Sequence, residues 1–247
     1  MRHNFQQRRP KLKEHIGHLI FFCEGSTEFN YVQIFADILN KHSDTTDVIV
    51  LQANVGSNAQ RVLDYANEAM ENEYRAYRNY TLCLLFDCDA PSDIQRLIND
   101  VLSSRYVYKI FVSNPIFELW LLMHFEQVSD KLSKKAIYEK LQEHLRIGLA
   151  EDWDKYKASK GMLLQILRDG SMQNACCNAT ELQSNYSSMN LHLNTDIEKM
   201  NPYTNMHELI NSFLTELNDE IYAHELTQFM RHTVTKHNTS VTTSLFI

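Results

Sequence analysis

Two short apolar runs, each closed by acids, constrain this chain most. Leu19-Ile20-Phe21-Phe22-Cys23 leads into Glu24-Gly25, and Leu82-Cys83-Leu84-Leu85-Phe86 leads into Asp87-Cys88-Asp89. Runs of this length are too short for independent helices and read as buried strands. The second run extends back to Thr81, and Asp47 to Leu51 with Tyr106 to Val112 completes a set of four strands. The segments between them read as helices. One runs from about Glu28 to Asn40, capped by Ser26 or Thr27. Another runs from about Asn58 to Tyr74, capped by Ser57. A third opens on Pro91 and carries Ile94, Leu97, Ile98 and Val101. Such alternation predicts an α/β fold, a parallel sheet flanked by helices. Right-handed crossovers bring all carboxyl ends to one edge, where open α/β sheets bind ligands.

After Val112 the pattern changes. Ser113-Asn114-Pro115 breaks the chain, and Ile116 to Phe125 reads as a helix apolar nearly all round. Helices are expected over Lys134–Arg146, Asp152–Leu167 and about Met172–Asn185. Asn201-Pro202 is a second break. Met206, Leu209, Ile210, Phe213, Leu214, Leu217 and Ile221 then trace an amphipathic helix. The expected organisation is an α/β core at 14–128, a helical portion at 129–222 packed on it, and a C-terminal extension at 223–247.

Composition narrows the function. With 247 residues, 44% of them hydrophobic, the chain can bury a substantial core. A formal net charge of -7 means that nucleic-acid contact must come from a local patch. The chain has no G-x-x-x-x-G-K-[ST] loop, no G-x-G-x-x-G and no G-x-S-x-G elbow, which argues against the usual triphosphate, dinucleotide and serine-hydrolase sites. Its five cysteines form no C-x-x-C pair, as expected of reduced thiols rather than a zinc site. No apolar run approaches the ~20 residues of a membrane span, and Met1 to Lys13 lacks a signal-peptide apolar region. A cytoplasmic protein without a membrane partner is the expectation. Arg8, Arg9, Lys11 and Lys13 form a basic arm, read as a phosphate contact or a solvated leader.

The acids carry the chemistry. Asp87 and Asp89 are two apart, so in an extended segment they face one side together. With Glu24 at a neighbouring strand end, they would repel one another unless a cation intervenes, which points to Mg²⁺ or Mn²⁺. Capping of the next helix is the plainer role for the aspartates. Glu28, one helical turn past Glu24, either points back to the same crevice or complements the helix dipole. Glu118 sits among Phe117, Leu119, Trp120 and Leu121, where a carboxylate is costly unless paired or bound to metal. His124 is a candidate base or a packing histidine. Lys155, Lys157 and Lys160, interleaved with Tyr156, are candidate phosphate contacts or a solvated helix face.

Several segments together resemble the RloB-type family. Phe21 to Glu28 with Tyr31 resembles its opening E-G-x-T-E…Y motif, and Asp87-Cys88-Asp89 its D-x-D. Ser113 to Phe125 follows its S-N-P-x-F-E-x-W-x-x-x-H-F signature, with Ile at 116 where the family often has Cys. Asn201-Pro202-Tyr203-Thr204 resembles its closing N-P-x-T. The likeness runs from about Leu19 to Leu217. The family in turn resembles TOPRIM domains, the metal-binding α/β module of topoisomerases, primases and some nucleases. The resemblance implies a TOPRIM-like sheet and Asp87 and Asp89 as Mg²⁺ ligands. It implies Glu24 as ligand or general acid/base, with Glu118 and His124 as a second layer. It also implies a gene near restriction-modification loci, beside an ABC- or AAA-type ATPase.

The leading expectation is therefore a metal-dependent endonuclease acting on DNA or RNA in antiphage defence, with the ATPase as partner. The alternative is a non-catalytic module that binds nucleic acid and the ATPase. Nucleotidyl transfer, as in primase-like enzymes, is a third class that no triphosphate-gripping loop supports. A homo-oligomer is compatible with either leading reading.

Overall fold

The computed structural model describes residues 16–53, 59–88, 91–147, 153–217 and 220–230. Four parallel strands, β1 (His18–Cys23), β2 (Asp47–Gln52), β3 (Thr81–Asp87) and β4 (Tyr108–Asn114), form the sheet. A two-residue β5 (Tyr203–Thr204) pairs antiparallel with the end of β4, giving the order β2-β1-β3-β4-β5. The crossover helices are α1 (Ser26–His42), α2 (Ala59–Glu71) and α3 (Pro91–Leu102).

The apolar runs are continuous because both faces of the sheet are covered. Strand side chains alternate between faces. Leu19, Phe21, Cys23, Cys83, Leu85 and Phe111 join the core beneath α1 and the later helices. Ile20, Phe22, Leu82, Leu84, Phe86 and Val112 join a second core beneath α2 and α3.

The expected helix at 116–125 shrinks to α4 (Glu118–Leu122). The chain turns sharply after it, with Phe125 N–H donating to Leu122 O and the His124 carbonyl accepting from Ser171. α5 (Lys134–His144) follows, capped by Ser133. The helix expected at 152–167 is two helices, α6 (Trp153–Lys157) and α7 (Lys160–Asp169), because Ser159 caps the second by accepting from Met162 N–H. α8 (Met172–Ser188) is capped by Ser171 in the same way. A short helix, α9 (Leu193–Asp196), precedes β5, and α10 (Met206–Glu216) follows it. At α1 the cap position belongs to Gly25, without a side-chain cap, and Ser26 is already helical. The expected cap Ser57, the basic arm and the tail from 231 lie outside the described residues.

Two features draw the later chain onto the α/β core. Residues 220–230 form a further helix, α11. Tyr222 stacks on Phe35 of α1, and Glu225 accepts from Lys41 at 2.8 Å and meets His42 at 2.9 Å. The β4–β5 seam is the other feature. Asn205 accepts from Val112 N–H and donates to Ile110 O, both at 2.8 Å. Ser113 and Thr204 hydroxyls meet at 3.0 Å, and Asn114 Nδ2 donates to Ile197 O and Met200 O. These side chains extend β4 to Asn114, two residues beyond the expected Val112. All five cysteines are free thiols, four of them buried.

Candidate functional site

At the carboxyl edge, the β1–β3 ladder continues one residue past β1, as Glu24 N–H donates to Leu85 O at 2.9 Å. That pairing fixes Glu24 beside the end of β3. Its Oε2 then accepts from Asp87 N–H at 3.1 Å, which joins the two strand ends directly. Asp87 is the last residue of β3 and pairs in register with Ser113 of β4. Asp89 lies outside the described residues.

Glu28 sits in the first turn of α1, a favourable place for a negative charge. It is nevertheless buried, with 5% of its surface exposed. Its carboxylate folds back over Gly25, where an added Cβ would lie 2.6 Å from Oε2. A Cβ there would push the Glu28 carboxylate aside. Burial pushes the Glu28 carboxyl up to about 8, against its own backbone N–H, which favours the charged form. Repulsion from Glu118 and Glu24 adds to the rise, and Lys157 opposes it.

Glu118 opens α4 and is buried. Thr27 Oγ1 donates to its Oε1 at 3.5 Å, and Lys157 Nζ lies 3.3 Å from the same oxygen. Lys157 also donates to Tyr138 OH at 2.9 Å. Burial alone would lower the Lys157 ammonium, but Glu118 and Tyr138 outweigh it and hold it above its ordinary range. Burial and the Glu118 charge push the Tyr138 hydroxyl up to about 12, with a smaller push from Asp87. Glu24, Glu28, Asp87, Glu118 and Lys157 thus belong to one electrostatic group, drawn from the residue after β1 and from α1, β3, α4 and α6.

Other candidates stand elsewhere. His124 is buried in the core, its Nε2 3.4 Å from Tyr31 OH and its ring edge-on to Trp120. Burial lowers it to about 3, so the ring is neutral. Its backbone packs against Gly170, where an added Cβ would lie 2.7 Å from the His124 Cβ. That is the packing role. Lys160 pairs with Asp37 at 3.0 Å and lies over the Phe229 ring, tying α7 to α1 and α11. The Lys155 side chain is outside the described set. Thr27 and Tyr138 join the group without having been candidates. Thr27 lies inside the E-G-S-T-E stretch, and Tyr138 is interleaved with Lys131, Lys134, Lys135 and Lys140.

Among the described residues, no three His, Cys, Asp or Glu side chains stand ready to hold a metal ion. The oxygen donors of Glu24 and Asp87 are nonetheless of the hard kind that Mg²⁺ takes, and Mg²⁺ needs only one or two carboxylates because it keeps several waters.

Fold and edge together define an α/β protein with an acid-rich site at adjacent strand ends. A family model described as RloB-like protein matches residues 19–213, and the chain belongs to that family. Neither the curated proteins nor the solved structures contain a match. No helix among the described residues is long and apolar enough to cross a membrane.

Proposed function

We propose that this protein is a cytoplasmic Mg²⁺- or Mn²⁺-dependent nuclease, TOPRIM-like in layout, that serves as the cleaving partner of a neighbouring ABC- or AAA-type ATPase in antiphage defence. One observation carries the reading: the carboxyl groups of Glu24, Glu28, Asp87 and Glu118 gather at one sheet edge, with Lys157 beside them. Carboxylate oxygens brought this close at two strand ends are the donors a hard divalent cation takes. Glu24 and Asp87 would hold it, with Asp89 next in the chain. Once bound, the cation supplies Lewis-acid stabilisation of the charge that develops on a phosphodiester.

The chain's own residues do the rest. Glu24 pins the backbone of Asp87. Glu28 keeps its proton near neutrality, sparing the edge another negative charge. Lys157 offsets Glu118 and presents a cation where a phosphate would enter. The missing phosphate loop leaves nucleotide sensing to the partner.

The test is incubation with tRNA, single-stranded DNA and plasmid DNA in Mg²⁺ or Mn²⁺, with and without the ATPase. Asp87→Asn and Glu24→Gln should abolish cleavage while circular dichroism stays native. Unchanged cleavage by both sinks the proposal. A non-catalytic module is the second reading, favoured by the Glu118–Lys157 pair, which neutralises one acid internally. It requires nucleic-acid or ATPase binding with no cation uptake in titration calorimetry.

A further inference from the structure

Beside the carboxylates lies a cluster that the cleavage chemistry does not use. Tyr138, Trp153 and Tyr156 are each partly buried. Their ring centroids are 5.8 Å and 6.0 Å apart along the series, with planes tilted by 59° and 33°. Lys157 adjoins them, its Nζ 4.8 Å from the Tyr138 ring centroid and 3.3 Å from Glu118. About a fifth of the Lys157 side chain, 21%, is exposed. Packing α6 onto α5 accounts for the buried halves of these rings. It does not call for aromatics, since Ile137 and Leu141 of α5 fill the adjacent core with aliphatic groups.

We propose that Tyr138, Trp153, Tyr156 and Lys157 form a nucleotide-gripping subsite, so that the substrate class is single-stranded or looped nucleic acid. An unpaired base would lie against the ring faces while its phosphate meets Lys157. This deepens the nuclease reading and rests on it for the cut itself. Ring faces bind bases only when those bases are out of a helix, and such stacking tolerates any sequence. A duplex is gripped mainly through many phosphate contacts. A chain of net charge -7 is poorly suited to that. Here, among the described residues, Lys157 stands beside three aromatic rings, the composition of a single-strand platform.

Binding is measured on the full chain carrying Asp87→Asn, which suppresses turnover. The probes are a single-stranded oligonucleotide and the same strand annealed to its complement. The chain has two tryptophans, and Trp120 is fully buried, so ligand quenching reports on Trp153. The single strand should bind and quench, with the duplex at least about ten-fold weaker. Trp153→Leu and Tyr156→Leu, which keep apolar bulk without a π-face, should each weaken binding about five-fold or more. Lys157→Met should flatten the salt dependence by about one phosphate contact. Equal duplex binding, or folded leucine variants that bind as before, overturns the proposal; the duplex comparison needs no substitution in the rings. If the single strand binds as described but the wild-type chain cuts nothing, the nuclease reading fails and the subsite stands. If the wild-type chain cuts duplex and single strand equally well, the subsite fails and the nuclease reading stands.

Discussion

The carboxyl end of the sheet holds two buried polar regions that differ in charge balance. At the β4–β5 seam, Ser113, Asn114, Thr204 and Asn205 are neutral and hydrogen-bond one another and the surrounding backbone. At the β1–β3 edge, Glu24, Glu28, Asp87 and Glu118 bring acids together beside Lys157, and burial with repulsion from Glu118 and Glu24 raises the Glu28 carboxyl. A buried neutral network fixes chain geometry without burying charge, and at this seam Asn114 Oδ1 has no hydrogen-bond partner among the described residues. Burial of surplus charge costs stability unless something from outside completes it. The seam is therefore architecture and the edge is the place to look for chemistry. The family motif is divided between them: S-N and N-P-x-T lie at the seam, whereas E-G-x-T-E, the Asp87 of D-x-D and Glu118 gather at the edge.

Opposite outcomes at the two regions would bear out that contrast. Asp87→Asn should lower metal-dependent cleavage about a hundred-fold or more, with thermal stability equal to or above that of the unaltered chain. Asn205→Ala should do the reverse. It orphans Val112 N–H and Ile110 O, both served by one side chain. The expected loss is about 2–4 kcal/mol, or roughly 5–15 °C in Tm. Denaturant titration and calorimetry check both. If Asp87→Asn destabilises as much as Asn205→Ala, the distinction collapses.

The contrast also explains what was legible in the sequence. Strands covered on both faces appear as unbroken apolar runs, so β1 and β3 were plain, and their closing acids marked the edge. β5 was not legible, because two residues have no periodicity and pair through side chains of Asn205 and Thr204. The break at Ser159 was hidden by apolar residues on both sides of it. The Glu118–Lys157 pair was equally hidden, since its members lie 39 positions apart on separate short helices (Lys157 minus Glu118). His124 belongs to the motif, yet its contacts are those of the core.

Smaller in effect is the pH response of the edge. In the folded chain the Glu28 carboxyl is raised to about 8 from an ordinary 4.5. A raised carboxyl contributes its full stability below about 4.5 and loses it as pH climbs towards 8, because the native state there holds a proton that the unfolded chain has released. The slope is about 1 kcal/mol per pH unit. Glu28→Gln, which keeps the shape that Gly25 accommodates, should remove the slope and gain on the unaltered chain between pH 5 and 8 (on the order of the window where the two states differ in protons). Parallel stability profiles for the two proteins would show that the edge carries no such strain.

The smallest effect belongs to the seam and tests whether its role is to hold β4. Ser113 and Thr204 meet hydroxyl to hydroxyl at 3.0 Å, and Thr204 Oγ1 also accepts from Met206 N–H at 3.3 Å. Ser113→Ala therefore removes one hydrogen bond but leaves Thr204 with a second partner. A loss of about 1 kcal/mol is expected, with no pH dependence, since no charge is involved. Cleavage should be unaltered, because the seam holds the end of β4 through Asn114 and Asn205 as well. A Ser113→Ala variant as stable as the unaltered chain but slow in cleavage would place the seam in the site, and architecture and chemistry could no longer be separated along this sheet edge.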